Sequence, residues 1–413
     1  MTANLHHRMA LVLCTLLGGS CLVTDAVAQG LLLPGAGPVH RSMAGASTAT
    51  AVDAAGAGHW NPAVIRALPD NEVMFGAELL YADVYLSSSG PGGAGSNFSN
   101  GGLPSIPTVA AVYHMESMPV SLGIGLYALM GASVNFPQSA DNPLLNRTGP
   151  VYAGASALAI KPLIACQLSE RLTVGFAPVI STMSLGMNPS FYAANGPGDF
   201  PISTPGRFFW GGGFEAGVMY DLDCCWSLGA AYRSPTWFET FEYNAQDENG
   251  NQRDIELNHT LPQIVSLGAA YLGFERTTIA VDVRYLDYRN TTLWGDSIPT
   301  PGLAWDSVFA VALGAQYELT DRVTLRMGYL ANENPIPDVA TLFNVQLPTI
   351  NRHQISVGGG CKLTPSITSD LAIVYGFKNS ISSTIPLPGG GGPVDVSLSQ
   401  EFISASFGLR FKF

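Results

Sequence analysis

Four cationic residues supply the binding chemistry that the sequence offers. Each falls on the polar side of a segment in which apolar and polar residues alternate: Lys161, Arg284, Arg326 and Arg410. Cations on such a face can bind a carboxylate head group through charge-assisted hydrogen bonds. The competing role is ion pairing with acidic residues of the same face, such as Glu215, Asp282 and Glu318. We therefore treat the four cations as candidate ligand-binding residues and keep ion pairing as the alternative.

Catalytic chemistry has little support in the sequence. A lipid hydrolase needs a serine with a nearby histidine and an amide or carboxylate. Few histidines follow the amino-terminal region, and two of them, His259 and His353, lie in polar or loop-like surroundings. The chain contains no G-x-S-x-G, H-E-x-x-H or phosphate-binding-loop motif. We expect a protein that is not an enzyme and that needs no cofactor and no metal.

The sequence does not determine whether or how the cysteines form disulfides. Cys166, Cys224, Cys225 and Cys361 follow the amino-terminal region, and no two of them have the spacing of metal ligands. The adjacent residues Cys224 and Cys225 are poorly placed to bridge each other. A disulfide between other pairs cannot be assigned from the sequence.

The composition indicates a membrane protein built from strands. Of the 413 residues, 47% are hydrophobic and only 12% are charged, whereas a soluble domain carries about 25% charged residues. Beyond the amino terminus no run approaches the 18 or so uninterrupted apolar residues that indicate a spanning helix. A transmembrane β-barrel reconciles these observations. The net charge of −12 argues against a nucleic-acid partner.

The amino terminus predicts export. A weakly basic stretch precedes the apolar run from Met9 to Gly19, and Ala26-Val27-Ala28 offers a cleavage site before Gln29. This pattern predicts a signal peptide over residues 1–28. The alternative, a membrane anchor, is disfavoured because the run is shorter than the roughly 20 residues that a spanning helix needs.

The carboxyl terminus gives the clearest strand. Between Phe402 and Phe413, apolar residues alternate with Ser, Gly, Arg and Lys. Because side chains alternate faces along a strand, one face is apolar and the other polar. An amphipathic strand with an aromatic end is typical of the last strand of an outer-membrane barrel, which pairs with the first strand and leaves no edge.

The same alternation recurs upstream and predicts an all-β, fourteen-stranded antiparallel barrel over residues 72–413. Short turns alternate with long loops such as Ser87–Ser105 and Ser380–Gln400, which places both ends of the barrel on the periplasmic side. Aromatic residues beside the short turns, including Tyr220, Trp226 and Tyr271, predict an interfacial girdle. The predicted strands are Glu72–Leu86, Ile106–His114, Val120–Met130, Gly154–Gln167, Leu172–Leu185, Arg207–Asp221, Trp226–Asn244, Asp254–Leu272, Thr277–Thr291, Asp306–Glu318, Val323–Asn332, Asn351–Leu363, Ile367–Asn379 and Glu401–Phe413.

Two segments have features that a regular β-barrel does not explain. Residues 29–71 are apolar but lack strand alternation, so we expect them to form a plug inside the lumen, with short helices over Ser42–Val52 and Asn61–Leu68. The third strand contains glycines at three positions, which predicts a bulge or kink within it or simply reflects barrel curvature: Gly123, Gly125 and Gly131.

One set of residues in the plug and in two later strands forms a recognisable pattern: Arg41, Gly45, Asp53, Asn61, Pro62 and Ala63, then Leu261-Pro262 with Ser266-Leu267-Gly268, and Thr324–Tyr329 with Pro335-Ile336-Pro337. In these residues the chain resembles the FadL-type outer-membrane transporters. The match covers essentially the whole chain after the signal.

The resemblance implies passive uptake of hydrophobic molecules, such as long-chain fatty acids or aromatic hydrocarbons, across the bacterial outer membrane. It also implies lateral exit beside a kinked third strand. The expected partners are therefore hydrophobic small molecules, the lipid bilayer and lipopolysaccharide, and the expected state is a monomer. The alternatives are a general or solute-specific porin and a structural or adhesin-like barrel.

Overall fold

The computed structural model describes residues 29–191, 207–246, 251–298, 302–386 and 392–413. The predicted signal peptide lies outside these residues. None of the helices in the described ranges is long and apolar enough to cross a membrane.

Within these described ranges, nineteen strand segments follow one another. They are β1 (Glu72–Gly90), β2 (Gly93–Phe98), β3 (Ser105–His114), β4 (Val120–Phe136), β5 (Val151–Gln167), β6 (Leu172–Asn188), β7 (Phe208–Asp221), β8 (Trp226–Arg233), β9 (Thr236–Phe238), β10 (Phe241–Gln246), β11 (Gln252–Leu257), β12 (Thr260–Leu261), β13 (Ile264–Tyr271), β14 (Thr277–Leu286), β15 (Val308–Glu318), β16 (Val323–Asn332), β17 (His353–Thr364), β18 (Ile367–Pro386) and β19 (Pro393–Lys412).

These segments build fourteen antiparallel wall strands, which confirms the predicted fold. Segments β2 and β3 share the second position beside β1, while β8 and β9 share the seventh and β12 and β13 the eighth. Segments β10 and β11 form a separate hairpin. Strand β1 pairs with β19 from Glu72 with Lys412 to Ser89 with Asp395, so the sheet closes on itself.

Burial along the wall is the reverse of that in a soluble protein. On β19, Ser404 and Ser406 are buried, whereas Ile403 and Phe407 are about half exposed. The apolar side chains therefore face outward, where lipid replaces water, and the polar side chains face the lumen. This arrangement confirms the faces predicted from the alternation at the carboxyl terminus.

Two predicted loops are largely strand. Segment β2 and the end of β1 occupy much of Ser87–Ser105, and β18 and β19 extend into Ser380–Gln400. At Ser87–Ser105 the prediction was wrong because that stretch is rich in Ser and Gly and its apolar residues do not alternate. In Ser380–Gln400 the alternating residues Val394, Val396 and Leu398 were missed; they are buried and belong to β19.

The plug is confirmed, but its helices differ from those predicted. An α-helix spans Gly37–Ser42, a second spans Ala54–Trp60, and a 3₁₀-helix spans Pro62–Ala67. The helix predicted over Ser42–Val52 is wrong, since the first helix ends at Ser42 and turns follow. Glycine and small residues let the chain turn there, and contacts with the wall decide its path.

Candidate functional site

Several glycines on neighbouring wall strands pair with each other directly beneath the plug. Gly175 pairs with Gly217, and a Cβ on either would lie within 2.3 Å of plug atoms. Other paired glycines lie beneath the plug in the same way: Gly76 with Gly408, Gly229 with Gly268, and Gly314 with Gly328. Any side chain at these positions would push the plug away from the wall.

The segment Asn61-Pro62-Ala63 anchors one end of the plug. The Asn61 Oδ1 atom accepts a hydrogen bond from the Ala63 amide (3.0 Å) and caps the 3₁₀-helix, with Pro62 in its first turn. The Asn61 Nδ2 atom donates to the carbonyls of Thr48 (2.8 Å) and Val218 (2.9 Å). One side chain thus joins two plug segments to β7.

A buried carboxylate on β14 holds the middle of the plug. The amides of Ser47 and Thr48 both donate to Asp282, and the Thr48 hydroxyl donates to its Oδ2 atom at 2.7 Å. Arg284 donates to the same oxygen at 2.7 Å and to the carbonyl of Gly45. Backbone amides and one arginine therefore neutralise this buried charge.

The three remaining residues of the plug motif, Arg41, Gly45 and Asp53, each have a structural role. Arg41 forms a bidentate pair with Glu78 of β1, with an Nη2–Oε1 distance of 2.8 Å. Gly45 has a φ of +77°, and a Cβ there would lie 1.8 Å from the Pro34 carbonyl. Asp53 caps the helix Ala54–Trp60 by accepting from the Gly56 amide at 2.7 Å.

All four candidate lumen cations have carboxylate partners. Lys161 donates to Glu215 at 3.0 Å, Arg284 to Asp282, Arg326 to Asp370 at 2.9 Å, and Arg410 to Asp370 at 2.7 Å. Ion pairing, the alternative drawn from the sequence, is therefore the arrangement in the structure. The expected role of Glu318 is wrong, because that residue is exposed beside a short turn.

The Lys161–Glu215 pair belongs to a larger buried cluster. Arg233 also pairs with Glu215, and both cations donate to the carbonyl of His59 at 2.8 Å. The guanidinium of Arg233 lies 4.8 Å from the centre of the Trp60 ring. Neither Arg233 nor the Asp370 partner of Arg326 was singled out from the sequence, although both sit on the polar face of an alternating strand.

Strand β4, the third wall strand, contains one extra residue. Its pairing with β5 shifts between Ala128 and Met130, so Leu129 is a β-bulge. Before the bulge Tyr127 faces the lumen, and after it Met130 and Val134 do. The bulge therefore exchanges the two faces of the strand, since side chains alternate with period two.

The glycines of this strand lie in different settings. Gly123 and Gly125 pair regularly with β3 and β5, and a Cβ on Gly125 would lie 2.2 Å from the Tyr127 ring. Gly131 follows the bulge and has open space around it. The irregularity of the strand is thus beside Gly131, and Gly125 makes room for an aromatic side chain.

The ladder beside β4 is interrupted above Tyr127, and the chain that precedes β3 contacts β4 again only near its end, where the Asn100 amide donates to the Asn135 carbonyl at 2.8 Å. Pairing between β3 and β4 runs from His114 with Ser121 to Thr108 with Tyr127 and goes no further. At that height the plug's own amino-terminal segment takes the place of a neighbouring strand. Leu32 bridges Met130, and the Leu33 amide donates to the Leu129 carbonyl at 2.9 Å.

A cavity of about 100 Å³ lies at this opening. Its apolar lining includes Leu31–Leu33, Leu80, Val84 and Phe402, and its polar lining includes Gln29, Asn351, Gln354 and Gln400. Engineered apolar cavities of about 150 Å³ bind benzene, so a space of this order suits a small ring or part of an alkyl chain. The sequence analysis did not single out the apolar run Leu31–Leu33, which was the signal that could have indicated this site.

The outer end of the lumen is filled by aromatic side chains from the loops. The Phe241 ring stacks on His259, and Trp294 meets the same imidazole edge-on. Burial lowers the pKa of His259 to about 3, so this cluster carries no charge at neutral pH. His259 is therefore a packed core residue. Its polar neighbours in the sequence had indicated a solvated side chain, and that expectation was wrong.

The fold and the site define the class of protein. A closed fourteen-stranded barrel with lipid-facing apolar residues and a lumen filled by an amino-terminal plug is an outer-membrane transport barrel. A sequence profile of the family described as outer membrane protein transport protein (OMPP1/FadL/TodX) matches residues 19–411. The chain belongs to this family, and the family places it in the outer membrane.

Two bacterial relatives share part of the sequence. Outer membrane protein P1 of Haemophilus influenzae is 26% identical over 184 residues, which cover 42% of this chain and 39% of that protein. The chain therefore aligns with less than half the length of this relative. The 47 kDa outer membrane protein of Pasteurella multocida is 22% identical over 360 residues, covering 78% of this chain and 81% of that protein.

Solved structures share the fold at lower identity. The toluene transporter TodX of P. putida superposes with a TM-score of 0.71 at 17% identity, covering 92% of this chain and 99% of that one. A Pseudomonas aeruginosa FadL homologue superposes with a TM-score of 0.73 at 15% identity, covering 93% and 100%.

Proposed function

We propose that this barrel takes up hydrophobic small molecules passively and releases them sideways into the membrane at β4. The observation that carries the proposal is the cavity at the opening above Tyr127, where β3 no longer pairs with β4. A continuous hydrogen-bonded ladder leaves no passage for a solute, whereas an unpaired stretch does. The function is binding and passage, with no chemical step.

The lining of the lumen supports a hydrophobic solute. Binding pockets for such molecules are mostly apolar with a few polar groups, which describes the cavity beside Leu31–Leu33. The plug and the aromatic cluster around His259 fill much of the lumen and disfavour a porin with a water-filled channel. We propose that the protein acts as a monomer in contact with lipid and lipopolysaccharide.

Two substrate classes fit this proposal. An aromatic hydrocarbon needs only the apolar lining, and its candidacy is supported by the fold shared with a toluene transporter. A long-chain fatty acid also needs a partner for its carboxylate. Lys161, Arg284, Arg326 and Arg410 are all paired with acids, and Arg41, which lines the cavity, is paired with Glu78. A pair would have to open to receive the carboxylate, and the pair of Arg41 is the one at the cavity.

The test is uptake by the purified protein in asymmetric liposomes whose outer leaflet is lipopolysaccharide, which apolar solutes cross poorly. We expect radiolabelled oleate or toluene to enter the bilayer faster than in protein-free liposomes of the same composition, while a labelled sugar stays outside. Entry of the sugar without either hydrophobic compound would contradict the proposal and favour a porin. Comparison of oleate with toluene decides between the two substrate classes.

A further inference from the structure

Two adjacent thiols meet on a short turn far from the cavity. The turn between β7 and β8 contains Cys224 and Cys225, whose sulfur atoms lie 3.2 Å apart. Neither residue forms a disulfide; Cys224 is exposed and Cys225 half-buried. Consecutive side chains of a strand point to opposite faces, so the two sulfurs can approach each other only because the chain turns here.

The preceding aspartate builds the turn. The Asp223 Oδ1 atom accepts hydrogen bonds from the amides of Cys225 (2.8 Å) and Trp226 (2.7 Å). The next short turn supports it, since the Leu272 amide donates to the Cys225 carbonyl at 2.7 Å. A Cβ on Gly273 would lie only 3.0 Å from the Cβ of Cys225. The thiol pair is therefore held by packing and hydrogen bonds from two turns.

The geometry of adjacent residues disfavours a disulfide between Cys224 and Cys225. Neighbouring Cα atoms lie about 3.8 Å apart across a trans peptide, whereas bridged cysteines usually have Cα atoms about 4.4–6.8 Å apart. A bridge between Cys224 and Cys225 would therefore be strained and easily reduced. The two thiols are better suited to bind a shared ligand than to bond to each other.

Three ligand atoms converge at the turn. One carboxylate oxygen of Asp223 and the sulfurs of Cys224 and Cys225 all lie within 4.8 Å of one another. Tetrahedral zinc with Zn–S bonds of about 2.3 Å holds two sulfurs about 3.8 Å apart, so the pair need open by only about half an ångström. Thiolates select soft and borderline cations over calcium or magnesium.

We propose that Asp223, Cys224 and Cys225 form a binding site for a thiophilic divalent cation such as Zn²⁺, with the fourth position left to water. Short turns of bacterial outer-membrane barrels face the periplasm, so the cation would come from that side. The site uses no residue of the plug or the cavity and is independent of the proposed uptake. The spacing of the cysteines in sequence had given no reason to expect a metal.

The experiment is a zinc titration of the full-length mature protein in detergent after reduction, against a chromophoric chelator. We expect one Zn²⁺ per chain and protection of two thiols from a maleimide. Cys224→Ser and Cys225→Ser should each abolish stoichiometric binding, and Asp223→Asn should weaken it several-fold. The matched control is Cys361→Ser, which removes an exposed thiol on β17 and should leave binding unchanged.

Three results would overturn the proposal. One is the absence of zinc binding to the reduced wild-type protein. Another is unchanged binding in a Cys224→Ser, Cys225→Ser double variant. A third is an intact mass two hydrogens lighter for protein taken directly from the membrane, with the bridge mapped to this turn. Heat-modifiable gel mobility of each variant shows whether its barrel is folded, so lost binding is not confused with lost structure.

Discussion

Two junctions of the barrel wall touch the plug, and they differ in how completely their strands pair. At the closing seam, β1 pairs with β19 from Glu72 to Ser89. At the third strand, the ladder between β3 and β4 ends at Tyr127 and is less than half as long. The seam is continuous over the height of the wall, and the other junction is not.

The plug meets the two junctions in different ways. At the seam it lies against a finished ladder, with Pro38 over the paired glycines Gly76 and Gly408. At β4 its backbone supplies the missing partner, through the bond from the Leu33 amide to Leu129. Each such hydrogen bond contributes about 0.5–1.5 kcal/mol. Opening the wall at β4 therefore costs a few bonds, whereas opening the seam costs a whole ladder.

Deletion of Phe413 should have the largest effect, because it removes the aromatic end that directly follows the strand closing the seam. The Phe413 amide donates to the Asn71 carbonyl at 3.2 Å, and its ring is exposed to lipid. We expect the amount of folded protein in outer-membrane fractions to fall several-fold, measured by heat-modifiable gel mobility. Phe413→Tyr keeps an aromatic end and should assemble normally. Equal amounts of the deletion variant and the wild type would contradict this prediction.

Cross-linking the plug to β4 should have the next largest effect. In a background with all native cysteines replaced by serine, Leu32→Cys and Met130→Cys lie on paired positions, at a separation that a disulfide can span. If solute leaves here, we expect hydrophobic uptake to fall to near the protein-free rate and to return on reduction.

The matched control for that cross-link is at the seam. Leu79 pairs directly with Ala405, so Leu79→Cys with Ala405→Cys closes a disulfide across a ladder that does not need to open. Uptake should be unchanged by oxidation in this variant. Loss of uptake at the seam but not at β4 would reverse the comparison and exclude lateral exit at the third strand.

Filling the space at Gly131 should have a moderate effect. A Cβ added at this position would have no neighbouring atom within 4 Å, so Gly131→Val should fold normally and narrow the opening. We expect slower uptake, with Gly131→Ala intermediate between wild type and Gly131→Val. Uptake that stays constant through this series, at equal amounts in the membrane, would place the passage elsewhere.

The smallest effect is expected at Gly123, in the paired part of the same strand. A Cβ there would lie 3.2 Å from both a Leu163 methyl and the Ala111 carbonyl oxygen, so the side chain and the paired strand must each give by a few tenths of an ångström. Gly123→Ala should lower stability by about 1–3 kcal/mol and leave uptake by the folded protein unchanged. A loss of uptake as large as that of Gly131→Val would show that the whole strand, and not its upper part, governs passage.

Much of the fold follows from local sequence. Alternation at Phe402–Phe413 and in the strands upstream was enough to predict fourteen strands and the faces they present, because the pleat itself sets the period of two. The Asn61 cap and Pro62 likewise marked a helical turn without tertiary information, since capping involves residues two or three apart. These features depend on near neighbours in the chain.

The site depended on residues far apart in the sequence. Asp370 lies 44 residues from its partner Arg326, and no pattern within either strand shows that they meet. The three glycines predicted a bulge or kink in the third strand, and the bulge at Leu129 lies in that strand beside Gly131. Gly123 and Gly125 lie in its regularly paired part, so the glycines alone did not show where along the strand the irregularity falls. Register between strands decides such contacts, and register is a property of the closed sheet.

The sequence by itself determined that the chain forms an amphipathic barrel with an apolar segment to bury, because period and composition are local. Only the tertiary structure decided which acid neutralises Lys161 and that Leu31–Leu33 stands where β3 leaves β4 unpaired. Both outcomes depend on contacts between the plug and the inner face of the wall. Those contacts form only when the barrel has closed around the plug.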